Sequence, residues 1–208
     1  RGFGGLAAAA IVLATHSPLQ GQSAAEAMGW NSESQWQFYF PTGKTVVEVP
    51  FRYEFGRIVV DVRVNGSEPL PFLIDAGWPN SALLGPEKVG DTDLGLPERR
   101  PGDASRGSNG TARAQIAKNI RLDVGELRVE GVEMEVLPED GLGPVGSLRQ
   151  DGILGGQFLA GLVVEIDWQN GLMRFHEPDS FEAPDDVTSL HLENRRGMMF
   201  VDAAVAVG

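Results

Sequence analysis

The chain has 208 residues with 42% hydrophobic and 22% charged, the balance of a soluble globular protein with one good domain and extra pieces. A net charge of −12, from 17 basic and 29 acidic residues, repels phosphate backbones and argues against a nucleic-acid partner. The absence of cysteine removes disulfides, thiolate metal sites and cysteine nucleophiles together.

In chain order, the first signal is the uncharged apolar run Leu6 to Ala14, preceded by Arg1. It falls short of the ~20 residues that span a bilayer but fits the core of a signal peptide. Ala25-Glu26-Ala27 has the form of a cleavage site, so residues 1–27 read as a signal peptide and the mature protein as exported, periplasmic or secreted. No other segment could cross a membrane. Residues 28–44 read as a linker whose aromatics (Trp30, Trp36, Phe38, Tyr39, Phe40) pack on the domain that follows.

From Thr45 the pattern is β. Val46 to Phe51 is apolar-rich. Ile58 to Val64 is a β-branched run ending at the turn signal Asn65-Gly66, and Leu70 to Ile74 is the next strand. Asn80 to Leu84 predicts another strand, and Pro86 opens a predicted helical turn. Residues 97–112 are polar and glycine-rich and predict a long loop, of the kind that is usually functional. Ile116 to Leu122, Leu127 to Val129 and Val132 to Leu137 predict a meander. After a second loop, Pro138 to Gln150, comes Asp151-Gly-Ile-Leu-Gly155 and a short helix over Gly156 to Ala160. Val163 to Trp168 and Leu172 to His176 predict a hairpin around Asn170-Gly171. Many short strands at close spacing, with one or two helical turns, predict an all-β fold built as a small closed barrel.

Within this frame one residue stands out. Phe72-Leu73-Ile74 runs straight into Asp75, Ala76 and Gly77, so a carboxylate sits at the end of an apolar strand. A charge there is costly unless it caps a turn or does chemistry. Asp93-Leu94-Gly95 and Asp123-Val124-Gly125 share the tripeptide form but follow no such run, and both read as turns. Other chemistry is sparse. His16, His176 and His191 show no ligand spacing, and Asp91, Asp93, Asp185 and Asp186 lack the ligand density of a calcium loop, so no metal and no cofactor is expected.

Taken together these features resemble the retropepsin-like aspartic proteases, in particular their exported bacterial members. The matching residues are Val60 to Gly66, Phe72 to Gly77, the glycine-rich stretch near Gly107 to Gly110, Leu122 to Val136, and Asp151 to Leu159 followed by Val164 to Trp168. The resemblance implies a closed β-barrel lobe over about residues 45–182. It implies that Asp75 is a catalytic carboxylate in an active-site loop with Ala76, Gly77 and Trp78. It further implies that Gly107, Ser108, Asn109 and Gly110 form a flap, and that Ile153, Leu154 and Gly155 are the second structural motif. Two such carboxylates, one per lobe, share a proton and activate a water against a peptide bond. The implied partners are a peptide or protein substrate and a second lobe or subunit, with no membrane contact once the signal is removed.

The second carboxylate has two possible sources. Gly197 to Val205 echoes Gly56 to Val64, with Gly, Asp and Val at the same spacing, so residues 183–208 read as the start of a second lobe or as a C-terminal strand. A homodimer is the alternative. Two positions depart from the family pattern. Ala76 stands where the family has Thr or Ser, and Trp78 stands where it usually has Ala. The alternative function is therefore a catalytically inactive lobe that binds peptides or serves as a structural module.

Overall fold

A computed structural model describes residues 36–86, 94–97, 99–107, 110–138, 150–185, 187–188, 190, 192–195 and 198–205; the side chains of 102–113 and 194–199 are not described. The expected signal peptide, Pro138–Gln150 loop interior and most of the helical turn after Pro86 lie outside these residues.

The strands are β1 (Gln37–Tyr39), β2 (Val46–Pro50), β3 (Arg52–Glu54), β4 (Arg57–Val64), β5 (Leu70–Ile74), β6 (Ser81–Leu84), β7 (Arg100–Gly107), β8 (Gly110–Val124), β9 (Leu127–Leu137) and β10 (Gly152–Leu154). A short helix, α1 (Gly156–Ala160), precedes β11 (Val163–Asp167), β12 (Leu172–His176), β13 (Glu193–Arg195) and β14 (Met198–Phe200). Strands β4, β5, β10, β6, β9 and β8 pair in that order, and β8 also pairs with β4, closing a six-stranded barrel. Among the described residues no helix is long and apolar enough to cross a membrane.

The barrel closes because its strands carry apolar residues at period two. In β4 Val60, Val62 and Val64 are buried while Asp61 and Arg63 face out. The β4–β5 connection begins with Asn65 at φ 51° and Gly66 at φ 83°, and the Ser67 N–H donates to the Val64 carbonyl at 2.9 Å. Positive φ at both central positions is what a tight hairpin turn of matching twist requires. Asn65 is also an anchor: its amide donates to the Leu94 carbonyl and its Oδ1 accepts the Arg121 N–H, each at 2.9 Å.

Two short strands in the barrel wall are paired in parallel across long stretches of chain. In β10, Ile153 lies opposite Leu73 on one side and Ala82 on the other. Strand β6 runs parallel to β9, with Leu83 opposite Val136. Alternation then sorts the side chains to two faces. Phe72, Leu83, Val136 and Leu154 join the large interior core, whereas Leu73, Ala82, Ala114, Leu137 and Ile153 form a second, outer cluster. Every member of the outer cluster is buried, so this region of the wall is covered on both faces.

The three-stranded sheet β11–β12–β2 packs Val47, Val49, Val164, Ile166, Met173 and Phe175 into the interior core. Its outer face carries Arg174, which bonds Glu48 at 2.7 Å and Glu165 at 2.8 Å and sits 3.4 Å from Asp167. The Glu48 hydrogen bond leads in pushing the Arg174 guanidinium above its ordinary value.

Three elements differ from the sequence expectation. Gln37–Tyr39, inside the stretch read as a linker, pairs with β9, although Phe38 packs on the domain as expected, its ring tilted against Phe158 at a centroid distance of 6.0 Å. Arg52–Glu54 pairs with the start of β4 although its composition is polar. The stretch expected to be a loop over 97–112 contains β7 and the start of β8, paired from Arg100–Ile116 to Gly107–Gly110 with a bulge between Pro101 and Ala104. Its glycines and polar residues carry no apolar stripe, and the partner strand supplies the order that side-chain propensity does not. At the other end of the chain, β13 and β14 form a separate two-stranded ribbon. Val201 to Val205, which follow it, are exposed and form no strand.

Candidate active site

Strand β5 delivers Asp75 at the point where the chain leaves the barrel wall. The loop 75–80 that follows is held by three backbone bonds to the second motif and α1, and by the Asn80 amide, which donates to Glu135 Oε1 at 2.8 Å. The Asp75 N–H donates to the Leu154 carbonyl at 3.1 Å, which extends the β5–β10 pairing into the loop. The Trp78 carbonyl accepts the Gly156 N–H at 2.7 Å, and the Pro79 carbonyl accepts the Gln157 N–H at 2.9 Å. Those two donors belong to the first turn of α1, where N–H groups have no partner within the helix. The loop therefore caps the helix, and the helix fixes the loop.

The carboxylate is held as well. Asp75 is half-buried, and its Oδ1 accepts the Gly77 N–H at 2.9 Å. A Cβ at position 77 would stand 3.2 Å from that same oxygen, so glycine keeps both the bond and the access to it. The Trp78 N–H donates to the Asp75 carbonyl at 3.1 Å and completes a tight turn around the acid.

Gly155 explains the second motif. A Cβ there would lie 1.8 Å from the Asn80 carbonyl oxygen and 2.6 Å from that of Trp78. Only glycine lets the two backbones approach so closely. Its N–H donates to Ser81 Oγ at 3.2 Å, and Ser81 is fully buried. Gly152, at the start of β10, meets a similar constraint, since a Cβ would fall 2.3 Å from the Phe72 ring. Ile153 and Leu154 point to opposite faces of the wall, one into each apolar cluster.

The structure brings Asp75, Ala76, Gly77, Trp78, Leu154 and Gly155 into one unit. Ala76 packs against the interior core, and Trp78 packs on the outer cluster. Ala114, near the base of the β7–β8 hairpin, belongs to that same cluster. Gly107 and Gly110 face each other at the hairpin's end, while Ser108 and Asn109 lie outside the described residues. Ser81 is the contributor that sequence reasoning misses. Its only signal is a hydroxyl opening an otherwise apolar strand, Ser81-Ala-Leu-Leu84.

His176 Nε2 lies 3.0 Å from Glu165 Oε2, and its ring meets Phe181 edge-on at 4.9 Å. His16, His191, Asp91, Asp93 and Asp186 lie outside the described residues. Among the described residues no group of three or more His, Asp or Glu side chains is arranged to hold a metal ion.

Residues 60–158 match the family model described as aspartyl protease. No curated protein matches the chain. Among the solved structures similar to it at low identity are two proteases. One is the EIAV protease complexed with the inhibitor HBY-793: 18% identity, 50% of this chain and 85% of that one covered, TM-score 0.39. The other is a retropepsin-like aspartic protease from Rickettsia conorii: 19% identity, 68% and 94% covered, TM-score 0.39. This chain is thus a closed six-stranded barrel, with Asp75 at a strand end and Ile153-Leu154-Gly155 beside it, that is similar over residues 60–158 to the aspartyl protease family.

Proposed function

We propose that the chain is one lobe of an aspartic endopeptidase in which Asp75 supplies one of two catalytic carboxylates. The observation that carries this reading is the holding of Asp75. A half-buried carboxylate leaves a core strand and receives the Gly77 N–H, and its loop is clamped by α1. Catalysis by a positioned acid depends on such a fixed geometry.

The second carboxylate comes from a second copy of the chain or from a second lobe. Two carboxylates about 3 Å apart hold one proton between them. The ionised member of the pair takes a proton from a trapped water as that water attacks the scissile carbonyl. The protonated member donates a hydrogen bond to the carbonyl oxygen as charge develops there. These roles belong to the pair rather than to either acid. The β7–β8 hairpin serves as the flap that closes over an extended peptide and excludes water. The apolar run Leu6 to Ala14 supports export, which puts the substrate outside the cytoplasm.

One observation favours a second reading, a non-catalytic peptide-binding or structural lobe. Ala76 has no hydroxyl to tie two lobes across their interface; its methyl packs instead against the interior core. A single assay separates the readings. The protein is incubated with an unfolded protein substrate at acid pH, with and without a statyl-type dyad inhibitor. Inhibitor-sensitive cleavage supports the endopeptidase. Neither cleavage nor inhibitor binding supports the non-catalytic lobe.

A further inference from the structure

Trp78 reads from sequence as an intruder beside the acid, a bulky residue where a small one is expected. Its surroundings assign it another task. The side chain is partly buried on the outer cluster of Leu73, Ala82, Ala114, Leu137 and Ile153. Its main chain is bonded in both directions, back to the Asp75 carbonyl at 3.1 Å and across to the Gly156 N–H at 2.7 Å. Ala76, two residues earlier, rests on the opposite, interior core. The loop carrying the acid is therefore pinned on both faces of the barrel wall.

We infer that Trp78 is a positioning residue for Asp75, anchoring the acid's loop from the outer face of the barrel in place of the hydroxyl tie that Ala76 cannot make. This rests on the endopeptidase reading for its catalytic consequence, but not for its structural one. An indole packed on that apolar cluster loses little freedom when its loop is engaged, because packing already limits its rotamers. The anchor lies within one lobe, so the loop is ordered before any partner arrives. The anchoring cluster also contains Ala114 of β8, near the base of the β7–β8 hairpin.

The test compares wild type, Trp78→Ala and the conservative Trp78→Phe by two readouts. The first is hydrogen exchange at the Gly77 and Gly156 amides, which report the turn around Asp75 and the clamp to α1. In Trp78→Ala both exchange at least about tenfold faster, while amides of β4 and β9 keep their protection. Trp78→Phe restores most of it. The second readout is peptidase kinetics: kcat falls roughly 10- to 100-fold in Trp78→Ala with KM little changed, because a small displacement of the acid acts on the chemical step. Should Trp78→Ala fail to fold, Trp78→Leu carries the same comparison. Unchanged exchange at Gly77 and Gly156 overturns the inference. So does a raised KM with unaltered kcat, which marks Trp78 as a substrate contact instead. If wild type does not cleave, the endopeptidase reading falls, and exchange alone decides the role of Trp78.

Discussion

Replacing Gly155 by alanine tests how tightly the acid's loop is clamped. The added Cβ would stand 1.8 Å from Asn80 O, 2.6 Å from Asn80 C and 2.6 Å from Trp78 O. All three are backbone atoms, so no side-chain rotation relieves the clash. Bringing the nearest pair to ordinary contact at 3.4 Å needs a separation of about 1.6 Å. A movement of that size carries the Gly156–Trp78 and Gln157–Pro79 bonds, now 2.7 and 2.9 Å, out of hydrogen-bonding range. Losing two such bonds costs about 1–3 kcal/mol, and the overpacking adds about 1–3 kcal/mol. A total of about 2–6 kcal/mol lowers the melting temperature of a chain this size by roughly 4–24 °C. Circular dichroism melts measure this directly. Gly95→Ala is the control: its φ is 56° and nothing stands within 4 Å of its Cβ, so only the left-handed backbone cost of about 1 kcal/mol applies. If Gly155→Ala melts no lower than Gly95→Ala, the clamp between the two motifs is not what holds the loop.

Three further outcomes are expected. Ser81→Ala leaves the buried Gly155 N–H without its acceptor and destabilises the protein by about 1–3 kcal/mol in urea unfolding, with peptidase activity falling in parallel. Phe55→Asn stabilises it by about 1 kcal/mol in the same assay. Phe55 is 80% exposed at φ 49° and precedes Gly56 at φ 81°, a turn that Asn-Gly fills without strain. Asp167→Ala has a pH-dependent effect. The Asn170 side-chain amide, then its backbone N–H, hold the Asp167 carboxyl below the usual carboxylate range, with Arg174 adding to it. A carboxyl lowered in the folded state contributes stability above its unfolded value and loses it as pH falls through the folded one. The variant therefore melts below wild type at about pH 7, and the gap closes towards about pH 2.

The barrel is legible where burial imposes period two. Val60, Val62 and Val64 alternate with charged residues, and Phe72 to Ile74 is apolar because that wall is covered on both faces. The turns at Asn65-Gly66 and Asn170-Gly171 are legible from backbone chemistry; Gly66 and Gly171 both take positive φ. Strand β7 is not, because a ribbon with Pro101, Gly102 and Ser105 carries no apolar stripe and owes its order to its partner β8. Strand β1 reads as a linker because three residues pairing with β9 are too few to show a period.

At the site, the run into Asp75 singles out the acid. Its support comes from residues some eighty positions away, and no local spacing reveals that the Trp78 carbonyl meets the Gly156 N–H. The side that Trp78 takes is hidden for a related reason. The turn after Asp75 breaks strand alternation, so sequence does not say whether the indole faces the cleft or the outer cluster on which it packs.

The most direct measurement compares Asp75→Asn with wild type in cleavage of an unfolded protein at acid pH, using the complete protein. The substitution keeps the shape of the side chain and its bond from the Gly77 N–H, while removing the ionisable group. The account predicts inhibitor-sensitive cleavage by wild type and none above background by a variant that folds normally. Cleavage by Asp75→Asn at the wild-type rate would contradict it.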